Sequence, residues 1–77
     1  MSKKVILYTA EWCHWCQKVK EFLTQNKVEF EEKNVDDQVN AKESMEKSGQ
    51  GGIPVVDIEG EIIVGFNEKK MKELLGL

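Results

Sequence analysis

The chain has 77 residues, 40% of them hydrophobic and 32% charged, with a formal charge of −3 and a pI near 5.1. That length leaves room for one core, so residues 1–77 are expected to form a single domain of ordinary globular composition. The lysines are interspersed with glutamates instead of forming a basic stripe, and the apolar run Val5–Ala10 is too short for a signal-peptide core or a bilayer span. A cytoplasmic monomer with no nucleic-acid or membrane partner is the expectation.

Residues 3–9, KKVILYT, read as a buried first strand, β-branched and aromatic and bounded by polar residues. From Cys13 to Asn26 the apolar positions Trp15, Val19, Phe22 and Leu23 recur at three and four, which predicts a helix with these on one face and Cys16 at its edge. Cys13 falls at the helix start, away from that stripe, so one thiol is expected to be accessible and the other sheltered. Residues 28–35, VEFEEKNV, begin with Val28 and Phe30 on one side and glutamates on the other, and predict a second strand. Strand, helix and strand make a βαβ unit, hence a parallel pair with a right-handed crossover.

Residues 38–48 have helix-forming composition, with Val39, Ala41 and Met45 as the apolar positions available for burial. The GQGG run at 49–52 ends that helix, and residues 53–65 predict two strands in a tight antiparallel hairpin turning at Glu59 and Gly60. Pro54, the only proline, stands at a strand start, where a missing N–H is tolerated. Asn67 reads as the N-cap of a closing helix, with Phe66 and Met71 as a hydrophobic staple and Leu74 and Leu75 continuing the face. Asp57 reads as a strand-end polar group. The order predicts an α/β fold, a four-stranded mixed sheet flanked by three helices (βαβ-α-ββ-α), which resembles the thioredoxin-like architecture.

The two cysteines stand in EWCHWCQK, residues 11–18. Structural disulfides are rare in a reducing cytosol, where a close cysteine pair is more often catalytic or metal-binding. A thiolate at a helix N-terminus is stabilised by free N–H donors and the positive end of the dipole, which favours the anion at Cys13. Cys16, three residues on, reaches the same sulfur within the first turn and can resolve a mixed disulfide formed there. His14, when protonated, favours that thiolate and Glu11 opposes it. A four-ligand zinc site lacks ligands, since beyond the cysteines the chain has one histidine, His14, lying between them. Attachment of a c-type haem needs histidine where Gln17 stands. An inert buried pair suits Cys16 but not Cys13. Trp15 reads equally as core or contact surface, and Trp12 as contact surface.

The segments YTAEWCHWCQKVKEFL, GQGGIPVV and IIVGFNEKKMKELL at these spacings resemble the glutaredoxin family over nearly the whole chain. The resemblance implies a thiol–disulfide oxidoreductase in which Cys13 is the nucleophile and Cys16 the resolving thiol. It also implies that Ile53 pairs through its backbone with the substrate cysteine, that Pro54 is cis, and that Gly65, Phe66 and Asn67, with Glu68, hold a γ-glutamyl group. Trp12, His14, Trp15 and Gln50 complete the implied substrate- or glutathione-binding set. No metal or bound cofactor is implied; glutathione would serve as reductant or co-substrate. The implied partners are disulfide-containing proteins, with glutathione or thioredoxin reductase as electron source.

Two departures bear on that choice. Val64 precedes Gly65 where the family commonly has paired glycines, and Ala10 stands where many glutathione users carry a lysine. These resemble the NrdH-redoxin branch, which is reduced by thioredoxin reductase and supplies ribonucleotide reductase. The tryptophan before the first cysteine is more similar to thioredoxin. A metal-handling alternative, a dimer bridging an iron–sulfur cluster through Cys13 with glutathione, is also implied by the family. An interaction module without turnover is a third possibility, against which the intact dithiol argues.

Overall fold

The computed structural model describes residues 4–77. In chain order these form β1 (Val5–Thr9), α1 (His14–Gln25), β2 (Glu31–Asn34), α2 (Gln38–Ser48), β3 (Val55–Ile58), β4 (Glu61–Val64) and α3 (Glu68–Leu75). The strands lie in the order β2-β1-β3-β4, with β1 parallel to β2 and antiparallel to β3, and β3 antiparallel to β4. This is the thioredoxin-like arrangement that the order of elements predicts. Lys3, included in the expected first strand, lies outside the described residues.

Strand β1 is buried from end to end, because its alternate side chains serve two layers. Val5 and Leu7 enter the main core with Val19, Phe22 and Leu23 of α1, Val56, Ile58 and Ile63 of the hairpin, and Met71 of α3. Ile6 and Tyr8 face the other way, toward Val55, Val35 and Ile62. Each large side chain fully buried in the main core contributes about 1.5–3 kcal/mol, which fixes α1 and α3 on one face of the sheet. Phe66 and Met71 both join that core, as a staple flanking the Asn67 cap requires.

The turn between β3 and β4 has Glu59 at φ 52° and Gly60 at φ 91°, so both central residues occupy the left-handed region. That is the backbone of a two-residue hairpin matched to strand twist, and Gly60 suits it without a side-chain clash.

Three sequence expectations need correction. The second strand begins at Glu31, not Val28. Helix α1 closes with Val28 N–H donating to the Leu23 carbonyl at 2.9 Å and Lys27 turning through φ 57°, so residues 28–30 return the chain to the sheet and pair with no strand. Val28 and Phe30 still pack on the core from this connection.

Helix α2 does not bury its apolar residues. Val39 is 73% exposed and Met45 55%, whereas Ser44 is buried and Asn40, Glu43 and Lys47 face inward at helical spacing. Polar contacts dock it: Tyr8 O–H donates to Glu43 at 2.8 Å, Lys33 bonds both Glu43 oxygens at 3.1 Å, and Lys47 donates to Asp57 at 2.7 Å. Asp57 is therefore a buried anchor within β3, its other oxygen accepting the Gly60 N–H at 2.8 Å.

Trp15, expected in the apolar stripe of α1, is 58% exposed. The buried stripe is Cys16, Val19, Phe22 and Leu23, with Cys16 taking the inward position of the first turn. Among the described residues no helix is long and apolar enough to cross a membrane.

Candidate active site

The C-terminal end of β1 hands the chain to α1 through Ala10, Glu11 and Trp12, and Cys13 N–H donates to the Ala10 carbonyl at 3.1 Å to tighten this turn. Cys13 is the N-cap of α1, and its Sγ accepts the Cys16 N–H at 3.2 Å. A sulfur thus occupies the place where a capping oxygen would satisfy an orphan donor, and the interaction strengthens when that sulfur carries charge. Both cysteines are free thiols. The expected contrast in exposure is small: Cys16 is fully enclosed and Cys13 shows 7% of its surface. Cys13 is sheltered by its own first turn and by its packing with Ala10, Val35 and Ile53.

Burial pushes the Cys16 thiol up to about 11, reinforced by the neighbouring Cys13 and opposed by the Thr9 hydroxyl and the Ala10 backbone. Cys16 is therefore held as the neutral thiol near pH 7.

The second wall of the site is the loop from α2 to β3. Its Ile53–Pro54 bond is cis, Ile53 packs beside the two cysteines, and Pro54 is buried. The Pro54 carbonyl accepts the Gly65 N–H at 2.8 Å, which ties this loop to the turn before α3. Gln50 braces the loop from within: its Oε1 accepts the Gly52 N–H at 2.6 Å and its Nε2 donates to the Gly52 carbonyl at 2.9 Å. A Cβ at Gly52 would sit 2.6 Å from that Oε1, so the brace requires glycine there.

The structure brings together Trp12, Cys13, Cys16, Ile53 and Pro54. His14 and Trp15 are exposed on the first turn of α1, their rings edge to face with centroids 6.2 Å apart. Three expected binding residues make contacts within the protein. Gln50 spends its amide on its own loop, Phe66 meets Phe22 edge-on at 6.0 Å against the core, and Asn67 caps α3 by accepting the Lys70 N–H at 3.2 Å.

A cleft of about 210 Å³ lies between the end of β1, the cis-proline loop and α2, lined by Trp12, Val35, Ala41, Ser44, Met45, Gly51 and Ile53, and two of these, Val35 and Ile53, also pack on the cysteine cluster. Sequence reasoning missed Val35, Ala41 and Met45 as parts of the site. The signal lay in register, since Thr9 pairs with Asn34 in the parallel ladder and so brings the next residue, Val35, to the end of β1. Among the described residues no three histidine, cysteine, aspartate or glutamate side chains are placed to hold a metal ion.

The dithiol at the start of the helix after β1 and the cis-proline loop both fall within residues 5–63, which the glutaredoxin family model matches. The chain belongs to the glutaredoxin family. Among family members, it is 40% identical over 70 residues to a glutaredoxin-like 8.6 kDa protein of the rubredoxin operon of Clostridium pasteurianum, covering 90% of this chain and 93% of that one. The methanoredoxin of Methanosarcina acetivorans superposes with a TM-score of 0.87 at 32% identity, over 96% of this chain and 85% of the other. The glutaredoxin-like NrdH-redoxin of Escherichia coli, described as having a thioredoxin-like activity profile, gives a TM-score of 0.80 at 27% identity, over 92% and 93% of the two chains. Membership makes thiol–disulfide oxidoreduction the activity of this glutaredoxin-family chain in general terms.

Proposed function

We propose that this chain reduces disulfides of proteins, with Cys13 as nucleophile and Cys16 as resolving thiol, and that it draws electrons from a thioredoxin reductase. The Cys13 thiolate attacks one sulfur of the substrate disulfide, forming a mixed disulfide and releasing the other sulfur as a thiolate. Cys16 then loses its proton and attacks the Cys13 sulfur, which expels the substrate's second thiolate and leaves a Cys13–Cys16 disulfide. Two electrons have passed to the substrate, and the reductase returns two to the protein.

The Cys13 Sγ at the N-cap of α1, accepting the Cys16 N–H at 3.2 Å, carries the assignment of nucleophile. The choice of reductant rests on what would receive the two carboxylates of glutathione. Ala10 is fully buried and offers no cation, and none of the residues lining the cleft beside Cys13 is charged. In the turn before α3, the Gly65 N–H is engaged by Pro54 and the Asn67 side chain by its own helix. Likeness to an NrdH-redoxin supports the same choice.

The test follows NADPH consumption with a model protein disulfide, with glutathione plus glutathione reductase in one arm and thioredoxin reductase in the other. Turnover in the second arm alone is expected. Turnover with glutathione at comparable rates would reject the assignment of reductant, and no turnover in either arm would reject the function.

A further inference from the structure

The cleft between the cysteines and α2 has a chemical character that the reaction itself does not explain. Its walls are Trp12, Val35, Ala41, Met45 and Ile53, with Ser44 at the base of α2. Val35 and Ile53 also pack against the cluster of Ala10, Cys13 and Cys16, so two of the cleft's walls are shared with the dithiol. Trp12 is 72% exposed and Met45 55%, an arrangement that leaves apolar surface uncovered on opposite walls of one concavity. Its volume of about 210 Å³ admits one side chain and excludes a folded element.

The rim is acidic. Trp12 Nε1 lies 3.5 Å from Asp36 Oδ1, which places that carboxylate at the mouth, and Asp37 follows as the cap of α2. Glu11 directly precedes Trp12 in the chain, and Glu11, Asp36 and Asp37 are all exposed. Lys33 and Lys47 are bonded to Glu43 and Asp57 beneath α2, and the exposed Lys42, one cation against the three carboxylates, stands outside the cleft lining as they do.

We propose that this cleft selects the substrate: an extended peptide segment whose disulfide-bonded cysteine adjoins a large aliphatic side chain, seated between Trp12 and Met45, with a lysine or arginine beyond it facing Glu11, Asp36 and Asp37. The inference rests on Cys13 as nucleophile. Complementarity of charge sets the sign of the outer residue, and the uncharged walls set the inner one.

The experiment uses the whole reduced protein and synthetic octapeptides, each with one cysteine joined to thionitrobenzoate, whose release is followed by absorbance. Leucine or serine is placed on either side of the cysteine, and lysine or glutamate beyond it. Burying leucine is expected to raise kcat/KM about tenfold over serine in one of the two placements. Lysine is expected to exceed glutamate about fivefold at low salt, shrinking toward unity at 0.5 M salt. Met45→Gln should abolish the leucine preference, and Glu11→Gln with Asp36→Asn the lysine preference, each without the other. Equal rates across the peptides, or preferences that survive these substitutions, would overturn the proposal. Hydroxyethyl disulfide separates the two failures. If the protein reduces it while ignoring peptide sequence, the cleft proposal falls and the nucleophile stands; if Cys13 reacts with neither, the reading beneath it falls as well.

Discussion

The two thiols of this site differ less in exposure than in what surrounds them. Cys13 caps a helix and receives an N–H, while Cys16 is enclosed and its thiol is pushed up to about 11 by burial. Resolution of a mixed disulfide therefore waits on deprotonating Cys16, which burial opposes, and its rate should rise with pH above 7 in stopped-flow measurements on a preformed adduct. The same shift governs stability. A thiol raised from 9.0 in the unfolded chain to about 11 in the folded one stabilises the fold below pH 9, and that contribution is lost as pH rises through 11. Urea titrations of the reduced protein should show this loss, and those of the Cys13–Cys16 disulfide form should not. Cys13→Ser is expected to abolish turnover, and Cys16→Ser to accumulate a substrate adduct visible by mass spectrometry; equal residual activity in both would contradict the assigned roles.

At the scale of elements, α2 stands apart, because a charged lattice docks it where α1 and α3 use apolar stripes. The Tyr8 hydroxyl and Lys33 hold the Glu43 carboxyl below its ordinary value of 4.5. Although burial alone would lower Lys47, its bonds to Asp57 and Tyr8 outweigh this and keep it charged well above its usual range. A depressed carboxylate gives stability that is present above pH 4.5 and lost as pH falls through its lowered folded value. Glu43→Gln is thus expected to cost about 1 kcal/mol at pH 7 and to flatten the pH dependence of stability below 4.5, both measurable by chemical denaturation. An unchanged acid slope in the variant would show that other carboxylates carry it.

The same helix marks the limit of what the residues reveal in order. Helix α1, the Glu59–Gly60 hairpin and the Asn67 cap with its Phe66–Met71 staple were legible because their signals are local, lying within a turn or two of the residues that answer them. The cysteine pair at a helix start was legible for the same reason. The orientation of α2 was not, since Tyr8, Lys33 and Asp57, which turn Glu43 and Lys47 inward, come from three separate strands. Val39 and Met45 looked like the buried face only while those partners were unplaced. The edge-on contact of Phe66 with Phe22 is equally non-local, since it depends on how α3 meets α1.

For the whole molecule, the consequence is a sheet with two unlike sides. The α1 and α3 side is apolar and insensitive to ions, whereas the α2 side depends on Lys33, Glu43, Lys47 and Asp57. Salt and acid screen or discharge the second and leave the first intact. Native-state hydrogen exchange in 1 M sodium chloride, or at pH 3.5, should therefore lower protection across Gln38–Ser48 well before it touches His14–Gln25. Simultaneous loss in both helices would mean that the two sides unfold as one unit. Met71→Ala, which empties a fully buried core position, is expected to cost about 2–5 kcal/mol and to lower protection everywhere.

The outer strand β2 carries Glu31, Glu32, Lys33 and Asn34, and its first two side chains stand in solvent. A border strand exposes unpaired backbone groups, and a second sheet could extend from them into a fibre. A copy aligned in parallel and in register would bring its own Glu31 and Glu32 against this pair, and carboxylates of like sign resist the match. The strand that contributes least to the core thus guards its own edge of the sheet against that alignment in a crowded solution of its own kind.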